Sequence, residues 1–253
     1  SEKNRDSEYY RAGVILDGYE KIGCDAINVG HYELAAGLPF LKKMDTECDI
    51  PFISANLRDA GTGELLFDPY VIIERTGLKI GIIGVTAMKP DTMKAVSADD
   101  YKTAGNRAID QIKHEVDMIA VLVNIERGPH QSLPGTFAEA DFIYTSGSTH
   151  LTRPTNPQKE GGPYLYSFGK QGKYLSVITA VIKDSDEAIL DVSGYENKIK
   201  TINRRFQRLQ KKDPDKPLEE VYAQQANVLK LIEQYREDLA ETEQAVASAV
   251  NTL

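Results

Sequence analysis

Cys24-Asp25-Ala26-Ile27-Asn28-Val29-Gly30-His31-Tyr32-Glu33-Leu34-Ala35-Ala36-Gly37 is the stretch from which the rest of this chain is read. Ala26 to Val29 has the apolar run of a buried strand, entered from Gly23 and left at Gly30. Leu38 to Met44 reads as a helix. The turn between them carries His31, Tyr32 and Glu33 at the strand's carboxyl end. Ligands bind outside that end in open α/β sheets. The reading is therefore strand, polar turn, helix, with three chemically capable side chains on the turn.

Upstream, Ser1 to Gly23 is charged and then helical, with Tyr10, Val14, Leu16, Tyr19 and Ile22 on an expected apolar face. A chain that opens on a helix and then enters a buried strand is expected to have lost something upstream. Downstream, Pro51 to Leu57 reads as a strand and Gly61-Thr62-Gly63 as a turn. Tyr70 to Arg75 and Lys79 to Thr86 read as a hairpin around Thr76-Gly77-Leu78. Ala98 to Val116 is expected as a helix. Asp117 to Asn124 is a continuous apolar strand, the pattern of a sheet covered on both faces. Ala140 to Tyr144 is the next strand, leaving through Thr145-Ser146-Gly147-Ser148-Thr149-His150. Pro163 to Ser167 and Val177 to Lys183 follow. His114 and His130 are expected at the surface.

The pattern changes after Gly194. Ile199, Ile202, Phe206 and Leu209 alternate three and four apart, and Asp213-Pro214-Asp215-Lys216-Pro217 interrupts. Leu218, Val221, Gln225, Val228, Ile232, Tyr235, Leu239, Thr242, Val246, Ala249 and Leu253 then continue the spacing. Such a seam needs a partner. The first helix is basic and the second mostly acidic, which favours an antiparallel hairpin. A second helix of about 50 Å, against about half that for the first, leaves its far end unmatched. Self-association, or docking on a neighbouring region, is expected through 218–253. The domain expectation is 1–193 for an α/β domain and 194–253 for the hairpin.

The opening stretch resembles the third motif of the calcineurin-like metallophosphoesterases, in the bacterial 5′-nucleotidase and UDP-sugar hydrolase branch. That motif runs G-Y-D-A, two hydrophobic residues, x-G-N-H-E, a hydrophobic residue and, four residues after the Glu, Gly. Gly23, Asp25-Ala26, Gly30, Glu33, Leu34 and Gly37 match it, while His31-Tyr32 replaces its Asn-His pair, a metal ligand and a catalytic histidine. The hairpin, read as P-Y-V-I-x-E and G-x-K-I-G-I-I-G-V-T, is similar to the same branch. So is Gly172-Lys173-Tyr174-Leu175, and Pro163 to Ser167 and Val177 to Lys183 on either side of it resemble the branch's closing strands. The resemblance runs in order from about Gly18 to Asp191. It implies a metallophosphoesterase-like α/β sandwich with mixed sheets and, for active members, phosphoester hydrolysis on two metals. The family's D-x-H and G-D ligand motifs are not in this sequence. Asn124 stands where a ligand histidine follows the central strand, and Gly147 and Thr149 where two more follow the next.

A dinuclear site needs several carboxylate and imidazole ligands to generate its hydroxide nucleophile. The sequence therefore implies a degenerate, non-catalytic domain without a metal, acting as a binding or scaffold module. If a metal is held, His31, Asn124 and His150 are the candidate ligands. The candidate ligand pocket is His31, Tyr32, Glu33, Asn124, Ser146 and Thr149. The alternative is a Mn- or Zn-dependent phosphohydrolase whose remaining ligands lie upstream of Ser1. The resemblance also implies an extracytoplasmic bacterial protein.

Composition narrows the classes further. A net charge of −8 argues against general nucleic-acid binding. No apolar run approaches the ~20 residues of a membrane span. Two cysteines, Cys24 and Cys48, are too few for a disulfide framework, and free thiols are the favoured reading. Glu160-Gly161-Gly162-Pro163 lacks the Lys-Ser/Thr ending of a phosphate loop and reads as a turn.

Overall fold

A computed structural model describes residues 5–126, 128, 130–153, 158, 161–169, 173–185 and 187–253. The elements are α1 (Arg5–Ile22), β1 (Ile27–Asn28), α2 (His31–Ala35), α3 (Leu38–Glu47), β2 (Phe52–Ile53), β3 (Leu57–Asp59), β4 (Tyr70–Arg75), β5 (Leu78–Thr86), β6 (Val96–Ala98), α4 (Tyr101–Ile112) and β7 (Met118–Asn124). They continue as α5 (Leu133–Thr136), β8 (Phe142–Ser146), β9 (Tyr164–Ser167), β10 (Ile189–Leu190), α6 (Ser193–Gln210), α7 (Leu218–Val221), α8 (Ala226–Ser248) and β11 (Asn251–Thr252). The chain divides into two units. One is 1–152 with 162–176, and the other is 153–161 with 177–253.

The first unit is built on a mixed five-stranded sheet in the order β4-β5-β7-β8-β9, antiparallel at β4–β5 and parallel elsewhere. Strand alternation sends Ile83, Val85, Val121, Val123 and Ile143 to one face, where they pack with Ala104, Ala108, Ile109 and Ile112 of α4 and with Phe137. Gly105 lets α4 approach. A methyl there would lie 2.5 Å from the Phe137 ring and 3.3 Å from Val85.

Gly84 of β5 points to the opposite face, where the parallel pair β1–β2 is laid. A methyl on Gly84 would lie 2.7 Å from Asn28 Oδ1 and 2.8 Å from Ile53. The Asn28 amide donates to the carbonyls of Val85 (3.0 Å) and Leu122 (3.1 Å), pinning β1 across β5 and β7. This close crossing brings the exits of β1, β5, β7 and β8 to one end of the sheet. A second cluster, with Val29, Leu34, Leu41, Phe52, Leu57 and Phe67 among its members, fills the space under α2 and α3.

Several sequence expectations change. The 51–57 strand splits into β2 and β3, because Ser54, Ala55 and Asn56 are used to bond to flanking segments instead of a ladder. The α1 face is not the expected one. Tyr9 stacks on Phe40 at 3.9 Å and Leu16 packs in the second cluster, while Tyr10, Val14, Tyr19 and Ile22 stay exposed. Cys24 and Cys48 are free and half-buried. Residues 177–183 form no strand. Val181 makes a single antiparallel bridge to Thr252 of β11, and Val177 is 83% exposed. The unit boundary accordingly falls after Ser176 and not at 193.

In the second unit α6 and α8 run antiparallel. Phe206 meets Tyr235 edge-on at 6.1 Å, Arg205 lies over the Tyr235 ring at 4.9 Å, and Lys198 pairs with Asp238 at 3.4 Å. Leu218, Tyr222 and Ile232 are buried against Phe206 and Leu209. The second helix is not continuous. It breaks between α7 and α8 and ends at Ser248, so α8 has 23 residues against 18 in α6. Its expected unmatched tail turns into β11, which pairs with β10. Leu239, Val246, Ala249 and Leu253 are half-buried there.

Candidate functional site

The four strand exits enclose a cleft of about 800 Å³ lined by His31 and Tyr32 after β1, Ala87 to Lys89 and Asp91 after β5, Ile125 and Glu126 after β7, and Gly147 after β8. His31 and Tyr32 open α2 instead of lying in a turn. Their rings meet edge-on at 5.3 Å, and Tyr32 is 72% exposed, presenting an aromatic face to the solvent.

Asn124 lies behind this lining, packed against Gly30 and Gly147, and is 4% exposed. Its Oδ1 accepts the His31 backbone N–H at 3.1 Å and lies 3.2 Å from the Thr86 hydroxyl. Its amide group donates to Ser146 Oγ at 3.0 Å. Thr86 is itself held by Asn56, whose Oδ1 accepts the Thr86 N–H (3.0 Å) and whose amide donates to the Thr86 carbonyl (2.8 Å). Space around this amide is closed. A methyl on Gly30 would lie 2.6 Å from Asn124 Cγ, and one on Gly147 2.6 Å from the Met88 thioether methyl and 3.0 Å from Asn124 Nδ2. Gly147 also has φ +88°, a left-handed conformation that favours glycine.

The sequence-predicted pocket is thus partly assembled. His31 and Tyr32 line the cleft, with Asn124 and Ser146 bonded beneath. Glu33 does not serve the cleft. Its carboxylate accepts the Gly30 N–H at 3.0 Å and caps α2. Thr149 is exposed and is not part of the lining. Met88, Lys89 and Asp91 were missed, although they directly follow the Gly-Val-Thr exit of β5. His130 corrects the surface expectation, being 5% exposed with Nε2 3.1 Å from the Thr145 hydroxyl. Burial, and then the neighbouring His150, holds its pKa below the usual imidazole value. His114 is exposed as expected.

The residues present do not fit a dinuclear metal centre. Asn124 is neutral and engaged at both ends, Gly147 offers no donor, and Thr149 stands apart. Among the described residues no three of His, Cys, Asp and Glu come together as a metal site. What the cleft offers chemically is an aromatic ledge, one ammonium, two carboxylates and an apolar strip at Met88 and Ile125.

No family model matches the chain. Relatives match by sequence. The 5′-nucleotidase of Vibrio cholerae is 30% identical over 150 residues, covering 54% of this chain and 27% of that protein. Protein UshA of Yersinia enterocolitica is 34% identical over 207 residues, covering 67% of this chain and 37% of that protein. The chain therefore spans well under half the length of these relatives. Among solved structures, a Staphylococcus aureus protein of 5′-nucleotidase type in complex with alpha-ketoglutarate aligns with a TM-score of 0.52 at 15% identity, covering 62% of this chain and 34% of that one. The Thermus thermophilus sulfate thiohydrolase SoxB aligns with a TM-score of 0.51 at 17% identity, covering 62% and 30%. These two likenesses concern the fold alone. With the motif frame, the curated relatives and the mixed sheet in agreement, the chain belongs to the calcineurin-like metallophosphoesterase superfamily, in its 5′-nucleotidase branch.

Proposed function

We propose that this domain has the phosphoesterase fold without phosphoester turnover, and that it acts as a binding or scaffold module of an extracytoplasmic protein. The observation that carries the reading is Asn124. It replaces a ligand imidazole with a neutral amide whose oxygen is taken by the His31 N–H and whose nitrogen is spent on Ser146. A metal there would have to break this buried network and would gain no charge compensation from it. The cleft remains open to a ligand, with Tyr32 as a stacking surface and Lys89, Asp91 and Glu126 as charged contacts. Extracytoplasmic placement rests on the resemblance. No helix of the described residues is long and apolar enough to cross a membrane.

The test is to load the chain with Mn²⁺ or Zn²⁺, dialyse, and assay a generic aryl phosphate together with a nucleoside 5′-monophosphate. No turnover above the metal-only blank is expected. Metal-dependent turnover that disappears in His31→Ala overturns the reading.

A further inference from the structure

His130 and His150 lie in ring contact on the two loops that leave β7 and β8, with centroids 4.5 Å apart and planes tilted by 55°. Neither occupies a position where the family places a ligand, and neither lines the cleft. His130 Nε2 is 3.1 Å from Thr145 Oγ1, and that hydroxyl donates onward to the Tyr166 carbonyl at 3.2 Å. Thr145 has one proton. Giving it to the carbonyl leaves the hydroxyl oxygen to accept, so Nε2 carries the His130 proton and donates. Nδ1 of His130 then keeps a free lone pair. It has no hydrogen-bond partner among the described residues and is not one of the sealed polar atoms, so solvent-sized species reach it.

An imidazole held from behind through one N–H, with its other nitrogen free, is the arrangement of a metal-binding histidine. The rear hydrogen bond fixes both ring orientation and tautomer. With N–metal distances of ~2.0–2.1 Å and ring centres about 1.1 Å behind each nitrogen, two ligands at the right angle of tetragonal Cu²⁺ have centroids ~4.5 Å apart, the ring separation of this pair.

We infer that His130 and His150 together bind one borderline divalent transition-metal ion, clasping the β7 and β8 exit loops to each other. Imidazole donors rank Cu²⁺ above Zn²⁺ and Ni²⁺. No third His, Cys, Asp or Glu of the described residues joins the pair, so water completes the coordination. Ile125, Glu126 and Gly147 on these same loops line the cleft, so the ion braces two of its walls. This mononuclear site does not depend on the proposed absence of turnover.

The test is calorimetric titration of the chain with CuCl₂ and separately ZnCl₂, with elemental analysis after dialysis and Cu²⁺ electron paramagnetic resonance. One equivalent is expected, coordinated by two nitrogens. Thr145→Val should weaken binding by about 10–100-fold through loss of the rear hydrogen bond. His150→Ala should weaken it at least as much, and His114→Ala should leave it unchanged. His130→Ala should abolish it. Because His130 is buried, its folding is checked by circular dichroism, and the half-exposed His150→Ala decides if His130→Ala does not fold. Binding that survives His150→Ala, or no retained metal, overturns the site. Two equivalents lost together in His31→Ala also overturn it, and with turnover would sink the functional reading as well. Turnover without loss of the His150-dependent equivalent would sink only the latter.

Discussion

Asn124 shows how one substitution rewires a strand end. An imidazole at this point would present a lone pair to the cleft, whereas the amide faces both ways and is consumed by its neighbours. Its removal leaves the His31 backbone N–H without its acceptor, while the Thr86 hydroxyl keeps its bond to the Met88 carbonyl. Asn124→Ala is therefore expected to cost about 1–3 kcal/mol in urea unfolding. Asp141 is a second buried polar anchor, accepting the Ile119 N–H at 2.7 Å. Burial raises its pKa above the ordinary carboxyl value, and this outweighs the hydrogen bond from Ile119. A folded-state pKa above the unfolded one means stability is greatest below the unfolded value and falls as pH rises through the folded one. Asp141→Asn keeps an acceptor and removes the charge, so its stability should lack this fall. Thermal unfolding of both proteins from pH 3.5 to 7 checks the sign.

At the scale of elements, close approach matters more than propensity. The α4–sheet contact passes through Gly105, where an added methyl must displace the buried Phe137 ring. Gly105→Ala gains helix propensity but should still destabilise by about 1–3 kcal/mol through overpacking. Its measure is the denaturant midpoint at unchanged slope. In the hairpin, Ile232 is 2% exposed within the cluster that holds α6 to α8. Ile232→Ala should cost about 2–5 kcal/mol. Part of the apolar seam packs inside the unit and its end pairs through β11, while Leu239, Val246 and Ala249 are only half-buried. The proposed self-association through 218–253 uses that remaining surface, so sedimentation of the full chain should give a dimer that dissociates on truncation at Glu233. Monomers in both cases overturn it.

For the whole molecule, the passage from the first unit to the second is the weakest stretch. Residues 173–180 carry no regular structure, and Leu175 is 91% exposed. Chymotrypsin should therefore cut first after Tyr174 or Leu175, before any site in the five-stranded sheet, as mass spectrometry of a short digest would show. The sequence by itself determined the helix at the start, the β4–β5 hairpin, α4, the buried β7 and the family frame. These rest on burial periodicity and on glycines spaced along single segments, which are local properties. It could not determine which apolar side of α1 packs, because its apolar residues surround the helix and only Phe40 and the second cluster choose among them. Nor could it place segment 177–183, whose strand-like composition is met in the fold by one bridge, from Val181 to Thr252 of β11. The burial of His130, the cap made by Glu33 and the closure of Asn124 depend on backbones that approach across many tens of residues. Gly30, Gly84 and Gly147 permit those approaches, but only the packed sheet brings the partners to them.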